Sequence, residues 1–111
     1  MNDLVQRLSE REQQVVVGGP QATLPEFQKR VTEMGYVFIK FTETRGGTDL
    51  GVRVDKSATD VSKANFELGT GSVHVEGTLT LNYVRVRCVA DIDLASLQGT
   101  GRLLVLEEVH P

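Results

Sequence analysis

Val73-His74-Val75-Glu76-Gly77-Thr78-Leu79-Thr80-Leu81, then Asn82-Tyr83, then Val84-Arg85-Val86-Arg87-Cys88-Val89-Ala90-Asp91-Ile92-Asp93-Leu94: this stretch decides the fold. Before Asn82 the apolar residues Val73, Val75, Leu79 and Leu81 hold odd positions; after Tyr83 the set Val84, Val86, Cys88, Ala90, Ile92 and Leu94 holds even ones. Alternation with period two is the mark of a half-buried strand. A change of face within it requires an inserted residue or a turn. Asn tolerates the positive φ of a two-residue hairpin loop, but the favoured second residue there is Gly, not Tyr. The sequence therefore favours a β-bulge at Asn82-Tyr83, bending one long strand.

Outward from this stretch, more strands follow. Gly69-Thr70-Gly71 reads as a turn or a bulge, Gln98-Gly99-Thr100-Gly101 as a turn, and Arg102 to Val109 as the last strand. Tyr36 to Thr42 is aromatic and β-branched, and Leu50, Val52 and Val54 alternate with polar residues; around Arg45-Gly46-Gly47-Thr48 they form a hairpin. Lys56 to Ala64 is a polar connection with room for a helical turn, and Phe66 and Leu68 open the β-rich half.

Thr23-Leu24-Pro25-Glu26 has the form of a capping box, with Pro in the first turn where its missing N–H is harmless. Leu24, Phe27, Val31 and Met34 make one apolar stripe, and Gly35 suits a left-handed cap. This predicts a helix over 24–34 packed on a sheet. Leu4, Val5 and Leu8 predict a shorter helix over 2–12. Val15-Val16-Val17, stopped by Gly18-Gly19-Pro20, reads as an edge strand or an extended arm. The expected fold is α+β: about six or seven mainly antiparallel strands in a curved sheet, as a half-barrel or small sandwich, with segregated helices. Residues 1–19 form a helix and arm, and 20–111 the domain proper.

A chain of 111 residues is one domain and can bury a core without disulfides. Its 12 Lys and Arg are scattered among 15 Asp and Glu, so a clustered basic footprint for nucleic acid or an anionic membrane is missing. With a single cysteine no intrachain disulfide forms, which fits a reducing cytoplasm.

Side chains with chemistry are few. His74 lies between Val73 and Val75 and points to the polar face, as a solvated histidine; His110 sits next to the C-terminus. Two histidines and one cysteine are a thin supply for a zinc site, so no metal and no cofactor are expected. Cys88 shares the apolar face, where a thiol is unreactive. Asp91 and Asp93 lie about 7 Å apart on one strand face, a common and usually inert arrangement. None of the glycine pairs has the phosphate-loop spacing. Leu8-Ser9 with Glu12, Val16 and Gly18-Gly19 resembles the double-glycine leaders of exported bacterial peptides, which implies a cleaved precursor; Gln13 and Pro20 depart from that pattern.

Three surfaces carry the functional expectations. The strand around Val89 presents Arg85 and Arg87 at one end and Asp91 and Asp93 at the other. Paired antiparallel with a second copy, Arg85 meets Asp93 and Arg87 meets Asp91, each pair contributing about 0.2–1 kcal/mol. Val15, Val16 and Val17 are a candidate docking arm for another sheet. Tyr36, Phe38, Phe41 and Tyr83 are candidate linings of a pocket between helix and sheet. The leading expectation is a non-enzymatic protein-binding or assembly module, with self-association through a strand as one form of it. The alternatives are a small-ligand carrier or simple enzyme, and the exported precursor.

Overall fold

The computed structural model describes residues 3–108. His110 and the predicted strand end at Val109 lie outside the described residues. The elements are α1 (Asp3–Ser9), β1 (Gln13–Val17), α2 (Leu24–Lys29, continued by a wide turn at Arg30–Met34), β2 (Tyr36–Phe41), β3 (Thr48–Val54), β4 (Ala64–Asn65), β5 (Thr70–Leu81), β6 (Val84–Asp93) and β7 (Gln98–Glu108). This is the expected α+β architecture with a curved antiparallel sheet. The strand order is β3-β2-β1-β7-β6-β5-β4, and β3 pairs back onto β5. That extra pairing curls six strands into a barrel, with β4 paired outside it through Ala64↔Gly71 and Asn65↔Thr70.

The change of apolar face comes from a hairpin, not the bulge favoured from sequence. Asn82 (φ 49°) and Tyr83 (φ 65°) are both left-handed, as a two-residue primed turn requires. Leu81 is then directly opposite Val84, so odd positions on β5 share a face with even positions on β6. The price is a bulky residue held at positive φ, about 1–2 kcal/mol of local strain. A register shift does occur on the next ladder, between Arg85 and Val86 against β7.

Gly69 closes a turn at φ 67°, as expected, and Thr70-Gly71 open β5, while Gln98-Gly99-Thr100-Gly101 is the start of β7 rather than a turn. At Gly99 a Cβ would strike the Asp91 carbonyl, so glycine permits β7 to press closely on β6. The turn before β7 is instead at Leu94 to Leu97, where Leu97 is left-handed.

α2 starts as predicted, with the Thr23 hydroxyl accepting from the Glu26 amide at 3.4 Å. The return half of the capping box is replaced: the Glu26 carboxylate pairs with Arg30 at 3.2 Å. The last turn widens, the Gly35 amide donating to the Arg30 carbonyl, and Gly35 closes it at φ 68°. Phe27 and Val31 enter the core while Met34 stays exposed, so the buried stripe is shorter than predicted.

The core fills the barrel. Val15, Val37, Ile39, Phe41, Val52, Val73, Val75, Val86, Ile92 and Leu103 are all fully buried, and α1 adds Val5 and Leu8. α1 is fastened at its C-terminus, where carbonyls lack helical partners. The Gln13 amide donates to the Arg7 carbonyl and the Arg102 guanidinium to the Ser9 carbonyl, each at 2.6 Å. Residues 3–17 are thus part of the barrel, not an arm. No helix among the described residues is long and apolar enough to cross a membrane.

Candidate functional site

The seam between β3 and β5 is incomplete. Between β3 and β5 the ladder consists of Arg53↔Thr78 and Val54↔Gly77. Beyond Arg53 the two strands diverge, and an open cleft of about 620 Å³ lies between them. Asp49, Leu50 and Gly51 form one wall; Thr78 to Leu81 form the other, with Arg85 behind.

Both walls offer backbone hydrogen-bonding groups. The Val54 amide donates to Gly35 while the Asp55 amide donates to the Glu76 carbonyl across the seam. Direction alternates along a strand, so Asp49 and Gly51, in phase with Asp55, turn their amides and carbonyls towards the cleft. The Glu76 amide points the same way, to the Thr59 hydroxyl, so Thr78 and Thr80 also face β3. Among the described residues no strand pairs with Asp49, Gly51 or Thr80 from the cleft side.

The outer rim is shaped by aromatic packing on β2. Tyr36 and Phe38 meet edge to face, with centroids 5.5 Å apart, and the Arg30 guanidinium sits 4.9 Å over the Phe38 ring. The Tyr36 hydroxyl occupies the space a side chain at position 51 would need, so Gly51 is bare on that face.

The closed end of the seam carries a chain of charges. Arg87 donates to Asp55 at 2.8 Å and to Glu76 at 2.9 Å. His74 contacts Glu76 through Nε2 at 2.7 Å and Asp91 through Nδ1 at 2.8 Å. Both ring nitrogens can donate only in the imidazolium, and the carboxylates of Glu76 and Asp91 raise the His74 pKa above its usual value. In return His74 and then Arg87 lower that of Glu76. Arg87, with help from Ser57, holds the Asp55 carboxyl down to about 2. The segment after β3 makes a helical turn, the Thr59 amide donating to the Asp55 carbonyl, and then bridges Asp60 to His74. The network therefore ties the end of β3 to β6 across β5.

The predicted site residues fall in other places. β6 is hydrogen-bonded on both edges, to β5 and β7, so it has no edge for a second copy. Its charges are also engaged: Arg87 and Asp91 in the network, Asp93 by the Ser96 amide and hydroxyl, Arg85 loosely with Glu107 at 3.8 Å. Val89 faces Arg102 in the ladder. Val15, Val16 and Val17 lie in β1 between β2 and β7, both edges paired, and cannot add to another sheet. A cut after Gly19, as in the leader-like reading, would take β1 out from between these strands.

The four aromatic residues do not converge. Phe41 is in the core, Phe38 is half-buried, Tyr83 is exposed in the turn, and Tyr36 alone reaches the cleft. Cys88 is buried, which pushes its thiol up to about 12. His74 is a network member rather than a solvated residue. Asp49, Arg53, Thr78 and Thr80 carry no sequence signal of their own, because nothing local marks a strand whose partner departs midway. Among the described residues no three His, Cys, Asp or Glu side chains are grouped to hold a metal ion. Neither models of known protein families nor curated proteins match this chain.

Proposed function

We propose that this protein is a binding module that takes an extended segment of a partner protein into the seam between β3 and β5, as an added strand. The observation that carries the reading is the ladder that stops at Arg53↔Thr78 and leaves two facing strand edges beyond it. Strand addition uses main-chain hydrogen bonds for affinity and alternate side-chain positions for specificity. About four such bonds at about 1 kcal/mol each reach only the millimolar range, so side chains must supply the remainder. A reducing cytoplasm is the setting this reading takes, supported by the single cysteine.

Thr80→Pro tests it. The Thr80 amide faces the cleft and not β6, so proline removes a donor from the binding edge while leaving the β5–β6 ladder intact. Short strand-forming peptides are expected to slow hydrogen exchange at the Asp49, Gly51 and Thr80 amides. The variant should melt close to the parent and lose the peptide. Unchanged exchange at these amides in saturating peptide would sink the reading.

A further inference from the structure

We infer that the segment received by the seam alternates acidic and apolar side chains, with two outward carboxylates flanking one inward apolar residue. This deepens the strand-addition reading and rests on it. In a strand, successive side chains point to opposite faces. A segment lying between β3 and β5 therefore shows one set to the outer rim and the other to the barrel interior.

The inner side is apolar. Leu50 on one wall and Leu79 and Leu81 on the other border the cleft and pack against the core. The outer side is cationic. Arg53 stands across from Thr78 in the seam ladder, and Arg85 is directly opposite Thr80 on β6. Thr78 and Thr80 are two residues apart, so the register positions of Arg53 and Arg85, on either side of β5, are offset by about 7 Å along the strand direction, the repeat between outward side chains of one strand.

Both arginines are under-paired compared with Arg87. Arg87, next to them at the closed end, holds two carboxylates at 2.8 and 2.9 Å. Arg53 has no ion pair among the described residues, and Arg85 reaches only the exposed Glu107 at 3.8 Å. The cleft's own carboxylate, Asp49, accepts the Gly19 amide at 2.8 Å and stands opposite Lys40 in the β2–β3 register. In a chain with net charge −3 the rim of this cleft reverses the sign. A basic segment meets two arginines there. A wholly apolar one leaves them without counter-ions, and a wholly acidic one places carboxylates against the leucines.

Three capped peptides sharing an apolar frame test the inference, with Asp, Thr or Lys at the alternate positions. Titration by calorimetry and by amide exchange is expected to show the Asp peptide binding about tenfold tighter than the Thr peptide, from two exposed pairs. The advantage should shrink as salt rises. It should vanish in the double variant Arg53→Gln, Arg85→Gln, whose changes lie on exposed side chains and leave melting unaltered. Equal or tighter binding of the Thr or Lys peptide overturns the charge pattern while strand addition stands, provided the Asp49, Gly51 and Thr80 amides are protected. Binding of the Asp peptide that persists in Thr80→Pro, without that protection, overturns it too, since the peptide then lies elsewhere. Failure of all three peptides to bind or protect removes both readings.

Discussion

The two ends of the β3–β5 seam are built from the same two strands and behave in opposite ways. At the closed end, Asp55, Glu76, Arg87, His74 and Asp91 form a continuous run of hydrogen-bonded charges, and the Asp55 amide crosses to Glu76. At the open end, a few residues along, Arg53 and Arg85 border a cleft whose strand edges have no strand partner among the described residues. The difference shows that register alone does not close a barrel. The antiparallel register that pairs Arg53 with Thr78 could continue to Gly51 and Thr80. It stops where cross-strand ties stop, because each added pair must offset the backbone order it imposes.

The largest expected effect comes from converting the closed end into the open one. A Cβ at Gly77 would strike the Arg53 carbonyl, which is backbone and cannot swing away. Gly77→Ala is expected to part β3 from β5 and cost about 2–3 kcal/mol in urea unfolding. Faster amide exchange at Arg53 and Asp55 should accompany it, and a variant as stable as the parent would show the seam to be incidental. Arg87→Met is expected to be milder. It removes two close ion pairs and leaves Glu76 with His74, a loss of about 1–2 kcal/mol for a partly exposed cation.

The smallest effect is titration of His74. Its folded-state pKa is raised, so its contribution is complete below the unfolded value of about 6.5 and is lost as pH rises through the folded value. Melting temperature should therefore decline on the alkaline side, and His74→Gln should flatten that decline. Glu76 and Asp55 act in the opposite direction. Both are lowered, so their contribution is present above their unfolded values and fades as pH falls through the folded ones, for Asp55 from 3.8 to about 2. An alkaline slope identical in His74→Gln would mean that His74 does not hold the network.

Particular residues show how far the fold was legible. Thr23, Pro25 and Gly35 marked α2, because caps and left-handed positions are local constraints. The parity of Leu81 and Val84 marked a face change, yet the choice between bulge and hairpin turned on Tyr83, which accepts a conformation its side chain disfavours. Val15 to Val17 were legible as β-branched strand. Their central place was not, since β7, which covers one edge, lies more than half the chain away. His74 and Asp91 each stand out in the sequence, but as separate residues; only the β5–β6 register sets them opposite each other. Arg53 and Thr80 carried no signal, because a cleft is the absence of a ladder pair.

By itself the sequence determined what depends on near neighbours: period-two strands, a capped helix, an apolar interior and an acidic surface with dispersed cations. Only the tertiary structure decided which strands are central, that β3 returns to β5, and where that return ends. Those outcomes rest on pairings between distant segments, whose register local alternation restricts to one parity but does not choose. The stretch around Asn82-Tyr83 established that the chain reverses its apolar face; closure of the barrel around it created the seam.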